Sequence, residues 1–431
     1  MRKLLLTSAS LLAIGATGAL AAGSSTYIEQ TGTGQQAVID QTAATNSTVG
    51  SAAHPFIQQD GSGSGGNVLS ITQGGTNNSV QGQALWPYTA GPELVGQAGT
   101  NNHLTILQTG TNGTITSHQR GDNNGVTAGS IVQGAGDTQT VHLIEQGNDN
   151  AFTISQDGAG NPGALYNGIT LQQSSSNNVA TISQSGAGLG ITSYQYGGWN
   201  VLSSAQTGSS NSVVTKQSNT APSVASTNTI SSLQSGDHNR AWIGQTPAVT
   251  TSTGQFGTLL TIINNQSGST NRFYVLEQTG SSNSINNTQS GSANTATVNT
   301  QGGGAGNFIT NQQLGANGTA TFDQTGNNNS ASLLQQSGTA GNTATLNQNG
   351  GFNTVSAYQY GSNNNVQSTQ TGTWSTALLV QNGNNNQIVG AQTGSGGAIG
   401  QQNSAAVTQN SNGNVANYTQ VGLGNSVSIS Q

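Results

Sequence analysis

Side chains able to do acid–base or metal chemistry are few and scattered. The five histidines, His54, His103, His118, His142 and His238, show no metal-ligand spacing. Asp122, Asp149 and Asp237 lie in stretches such as GDNN and GNDN, where turn chemistry accounts for them, and no D-x-[DN]-x-[DN]-G-x5-E calcium loop occurs. GGGAGN at 302–307 lacks the Asp of a calcium repeat, and GSGSGG at 61–66 has no Lys or helical pattern after it to cradle phosphate. Tyr194, Tyr196, Trp199, Tyr358, Tyr360 and Trp374 could form a sugar-binding stripe, but outward aromatics pairing between stacked strands explain them better. No catalytic, cofactor or metal residue is assigned, and an enzyme is not expected. What remains is amide chemistry: each Gln or Asn offers one acceptor oxygen and two donor hydrogens.

Those amides recur. Gln184, Gln195, Gln206 and Gln217 follow one another at eleven residues, as do Gln348, Gln359, Gln370, Gln381 and Gln392, and Gln420 and Gln431 after Gln409. The unit is Q-x-G-x-x-N-x-φ-x-φ-x, with φ apolar or small. Its Gly and Asn marks are Gly186; Gly197 and Asn200; Gly208 and Asn211; Gly350 and Asn353; Gly361 and Asn364; Gly383 and Asn386; Gly422 and Asn425. The same marks follow Gln278, as Gly280 and Asn283, and Gln289, as Gly291 and Asn294. Some intervals differ, such as the twelve from Gln289 to Gln301.

Positions +5, +7, +9 and +11 from each Gln share parity, so an extended strand puts all four on one face. On that parity His103 and His118 point outward to solvent. The step from +2 to +5 breaks parity where Gly and Asn tolerate a tight turn. One such strand cannot bury its face, but stacked copies can. The expected fold is all-β: a cross-β solenoid of strand-turn-strand rungs of about 22 residues, each made of two 11-residue half repeats. Inward Gln and Asn then stack on their counterparts and bond along the stack.

The rest of the chain sets the context. Arg2 and Lys3, an apolar run to Leu20 and the small residues Ala21 and Ala22 read as a secretory signal peptide over 1–21, followed by the repeat array over 22–431. No second apolar run is long enough to span a membrane. Irregular or loop-bearing units are expected near 42–57, 84–96, 157–172, 218–233 and 246–254. These hold Pro55, Pro87, Pro92, Pro162, Pro222 and Pro247, which cannot donate to a β ladder. Beyond the signal, Arg120, Lys216, Arg240 and Arg272 face twelve acidic residues, too few cations to bind nucleic acid. There is no Cys, so no disulfide supports the exported chain. Scattered Asp residues are expected to slow stacking, because a charge repeated in register repels itself.

The repeat resembles the curlin repeat of curli fibre subunits, S-x5-Q-x-G-x-x-N-x-A-x3-Q. Tyr194-Gln195-Tyr196-Gly197-Gly198-Trp199-Asn200 and Tyr358-Gln359-Tyr360-Gly361-Ser362-Asn363-Asn364 resemble it closely, and Ser292-Ala293-Asn294-Thr295-Ala296 carries the Asn-x-Ala half. The resemblance covers nearly the whole mature chain. It implies a secreted bacterial amyloid subunit that forms cell-surface fibres for biofilm matrix and adhesion. The implied partners are further copies of itself, a nucleating subunit and an outer-membrane secretion pore, with extracellular matrix or polysaccharide as a further candidate. This chain is far longer than the five-repeat subunits, and its repeats begin at Gln30 without their pore-targeting leader. A soluble, monomeric β-solenoid adhesin or polysaccharide-binding module is the alternative.

Overall fold

A computed structural model describes residues 23–51, 55–59, 66–82, 95–158, 168–219, 226–244, 254–336, 341–395 and 401–431. The expected signal peptide, 1–21, lies outside them, as do most of 84–96 and 246–254 and parts of 42–57, 157–172 and 218–233. Of the six prolines only Pro55 is described, immediately before the strand Phe56–Gln59.

Strands are the only regular elements among the described residues, and the chain forms a parallel β-solenoid. It divides into two compact units, Met1–Ser210 and Asn211–Gln431. In each unit the chain passes back and forth between two parallel sheets, an insertion sometimes splitting one crossing into two short strands of the same sheet, as at Arg240–Ile243 and Gly254–Thr258. The second sheet of the first unit runs Gln36–Thr45, Val68–Thr76, His103–Gln108, Gly129–Gln133, Ala151–Asp157, Val179–Ala187 and Asn200–Ser209. In the second unit one sheet includes Thr319–Asn327, Thr343–Gly351, Asn365–Thr373, Gln387–Ser395 and Val415–Val421.

Register is set by the repeat. Val179–Ala187 pairs with Asn200–Ser209 so that Gln184 lies beside Gln206 and Gly186 beside Gly208, a displacement of 22 residues. Average spacing is nearer 24, because some turns carry insertions: stacked Gln156 and Gln184 are 28 residues apart, and Gln217 and Gln255 are 38 apart. The twelve-residue interval ending at Gln301 is absorbed differently. Its strand, Thr295–Gly302, shifts register between Val298 and Thr300, so the extra residue bulges and the inward row resumes at Gln301.

The core is a narrow slot filled by the +7 and +9 side chains. One column in the second unit runs Val298, Phe322, Leu346, Ser368, Gly390 and Tyr418. Phe322 and Leu346 are fully buried, worth about 1.5–3 kcal/mol each. Size is matched along the stack: the Tyr418 ring occupies the space that a Cβ on Gly390 would need.

Most turns place two residues in the left-handed φ region. After the strand Thr354–Tyr360 these are Gly361 (φ 94°) and Asn363 (φ 56°), while the marked Asn364 immediately precedes the next strand, Asn365–Thr373. Glycine at +2 turns the chain as expected, the second turning residue is at +4, and the Asn at +5 is buried on the inward row as its parity predicts. Glycine at +2 is required twice over. A Cβ on Gly350 (φ 120°) would collide with the carbonyl oxygen of Gly372 in the next turn. Replacing Gly350 with Ala should therefore lower stability by about 1–3 kcal/mol, read as a fall in the denaturant midpoint. The same change at Gly413, which has nothing near its Cβ position, should cost only its local backbone strain.

Candidate functional site

The residues singled out by spacing come together as continuous columns of buried amides. In the second unit Nε2 of Gln217 donates to Oε1 of Gln255, and the bonds continue through Gln278, Gln301, Gln324, Gln348, Gln370, Gln392 and Gln420, at 2.7–3.1 Å throughout. A second column on the facing sheet runs from Gln234 through Gln266, Gln289, Gln313, Gln335, Gln359, Gln381 and Gln409 to Gln431, at 2.7–3.0 Å. In the first unit Gln41, Gln73, Gln108, Gln133, Gln156, Gln184 and Gln206 form the same arrangement. Apart from Gln41 and the exposed Gln431, these Gln side chains are all buried.

Why Gln fits follows from its donor count. Nε2 of Gln359 donates once to Gln381, at 3.0 Å, and once to the backbone carbonyl of Thr343 on the opposite sheet, at 2.9 Å, while its Oε1 accepts from Gln335. Gln370, Gln392 and Gln420 repeat the cross-sheet bond to Thr354, Thr376 and Ser404. Both donors and the oxygen are thus satisfied without water, so burial costs little.

Asn at +5 bridges the next corner. Oδ1 of Asn353 accepts the backbone N–H of Ser375 at 3.0 Å, and its Nδ2 donates to the carbonyl of Gly372 at 2.9 Å. Asn294 does the same to Gly318 and Gly315, and Asn364 to Asn386 and Gly383. Nδ2 of Asn211 donates to Gly236, and Nδ2 of Asn283 to Gly304. Asn200 accepts a place in the same series, its N–H and Nδ2 both donating to Oδ1 of Asn178. The +2 glycine carbonyl and the +5 amide of successive turns are one interlocking motif.

Two features escaped the sequence reading. A third buried amide column lies at +9, where Nδ2 of Asn311 donates to Asn287 and Nδ2 of Asn287 to Asn264, at 2.7 and 2.8 Å. The second is Glu145. It stands in a second amide column of the first unit, on the sheet facing the column of Gln41 to Gln206, between Gln119 and Gln173 in register. The signal was present: Gly147 and Asn150 stand at +2 and +5 from Glu145, although the neighbouring Gln146 looks like the mark.

Nε2 of Gln119 donates to Oε2 of Glu145 at 2.7 Å. Beyond it, Oε1 of Glu145 and Oε1 of Gln173 are both buried without a hydrogen-bond partner. Two acceptors at neighbouring column positions are compatible only if a proton lies between them, so the carboxylic acid is the form that continues the column. Complete burial accordingly raises the Glu145 carboxyl to about 8, against the lowering effect of the Gln119 bond. On the Glu145 strand and the strand before it no other ionisable side chain shares the inward row: His118, Arg120 and His142 stand on outward rows.

The remaining candidates are dispersed. His118 keeps its outward parity but is buried, contrary to the expected solvation, and His103 is half-buried. His54 lies outside the described residues. Asp122 accepts from the Thr100 N–H and hydroxyl, and Asp149 is a turn residue with φ 58°. Tyr194 stacks on Tyr196 within one strand rather than between turns, whereas Trp374 stacks on Phe352 of the preceding turn at 4.3 Å. No group of three or more metal-binding side chains occurs among the described residues.

Fold and site together define a parallel β-solenoid with internal amide columns. No protein-family model matches the chain, and no curated protein is similar to it. No helix among the described residues is long and apolar enough to cross a membrane.

Two outcomes follow. Gln359→Leu leaves the Gln335 donor, the Gln381 oxygen and the Thr343 carbonyl without their partner, and should cost about 1–3 kcal/mol for each group that water cannot reach; an unchanged unfolding midpoint would contradict this. For Glu145 the folded form holds its proton more tightly than the unfolded form. Its stabilising contribution is complete below about pH 4.5 and is lost as pH rises through about 8, on the order of a few kcal/mol. Glu145→Gln should abolish that slope and raise stability at pH 8, measured by denaturant unfolding across the pH range.

Proposed function

We propose that the protein is a secreted structural subunit of curlin type, whose copies stack into extracellular amyloid fibres on a bacterial surface for biofilm matrix and adhesion. The observation that carries this reading is the translational sameness of the columns. Along the long columns of the second unit each internal Gln accepts on one side and donates on the other, and strands such as Asn365–Thr373 pair in register with a near-copy of themselves. The two sides of any turn are therefore complementary, and a turn from a second molecule meets the donors and acceptors that an internal turn would supply.

In this reading, self-association needs no dedicated docking surface. A nucleating subunit would present the first template, and an outer-membrane pore would deliver the unfolded chain. Catalysis has no part in it.

The test uses the purified mature chain. Incubation at micromolar concentration should give fibres that bind amyloid dye, diffract at about 4.7–4.8 Å along the fibre and about 10 Å across it, and seed fresh protein. A folded monomer that neither grows with concentration nor accepts seeds would overturn the proposal and favour a soluble binding module.

A further inference from the structure

Three of the four cations beyond the signal peptide converge on one outer face. Lys216, Arg240 and Arg272 are far apart in the chain, yet they lie on Ser212–Asn219, Arg240–Ile243 and Arg272–Ser281, strands of one sheet of the second unit. All three stand on outward rows, beside the inward Gln217, Ala241 and Phe273.

Arg240 and Arg272 are direct register partners, and both are exposed. Strand spacing puts their backbones about 4.8 Å apart. The residues flanking them in that row are Ser212 and Thr295, neither of them acidic. Like charges directly opposite across a strand pair destabilise a sheet, so this chain carries a local repulsion where Thr, frequent elsewhere in that row, would carry none.

The next outward row is aromatic. Trp242 pairs with Tyr274, their rings 5.7 Å apart and edge to face. The Arg240 guanidinium lies 5.9 Å from the Trp242 ring, and the Lys216 ammonium 5.6 Å from Phe256 on the same sheet. Glu277 on the Arg272 strand and, two strands further along the same row, Asp323 are acids of this face.

We propose that this face binds a carboxylated polysaccharide, a polymer of uronic-acid type. A carboxylate between Arg240 and Arg272 relieves their repulsion and suits the planar guanidinium fork. The apolar faces of sugar rings cover Trp242 and Tyr274, whose amphipathic rings suit a wet, partly apolar contact. A nucleic acid, whose affinity comes chiefly from neutralising many successive phosphates, is not favoured by a face with three cations. The site lies within a single unit, so its occupancy does not depend on fibre formation.

The test measures retention of the full mature chain, freshly dispersed and as preformed fibre, on immobilised polygalacturonate, dextran and single-stranded DNA. The expected result is salt-sensitive retention on polygalacturonate in both states and little on dextran or DNA. R240Q/R272Q should weaken it by about tenfold and, by removing the like-charge pair, should leave the unfolding midpoint unchanged or higher. W242A should weaken it with the salt dependence preserved. Undiminished retention of the folded double variant, equal retention on dextran, or stronger retention on DNA would overturn the proposal. Failure of fibres to form would bear on the structural reading and leave this test intact.

Discussion

A buried primary amide must find partners for two donors and one oxygen, and here that constraint shapes everything else. Gln359 meets it with one amide below, one above and one backbone carbonyl across the slot. The arrangement works only if strands are parallel, in register and spaced so that one amide reaches the next. Sliding a strand by one residue would turn Gln359 outward and leave Gln335 and Gln381 facing an apolar gap. Amides that would be a liability in a mixed core thus specify register in this one.

Glycine and asparagine are consequences of that stacking. Because turns lie directly above one another, no Cβ fits at Gly350, and the carbonyl exposed there is taken by Asn329 of the preceding turn at 3.0 Å. Insertions are tolerated wherever they leave this corner untouched. The 28-residue step from Gln381 to Gln409 keeps the same amide bond as the 22-residue step before it. Glu145 is the informative exception, since it keeps the column only while it keeps its proton.

Much of this was legible in the sequence because the period of two along a strand and the period of eleven along the chain are both written in residue types. Gln, Gly and the +5 Asn were assigned to the inward row and the turn, and that is where they lie. What escaped depends on neighbours in the third dimension. The +4 residue turns the chain whatever its type, so Asn363, Phe352 and Trp374 share one conformation that no composition rule announces. His118 has outward parity yet is buried, because parity describes a strand and not what covers it. The placing of Lys216, Arg240 and Arg272 on one outer face follows from insertion lengths between strands, which no residue type announces.

Hydrogen exchange of the glutamine side chains tests the central claim most directly, with Nε2 protons followed by nuclear magnetic resonance in the folded protein. The column account predicts that Nε2 of Gln348, Gln359, Gln370 and Gln381 exchanges as slowly as the backbone amides of their strands, while the exposed Gln367 exchanges freely. Rapid exchange at the column positions, with the backbone still protected, would mean that the amides are not bonded to one another and that the fold is held by something else.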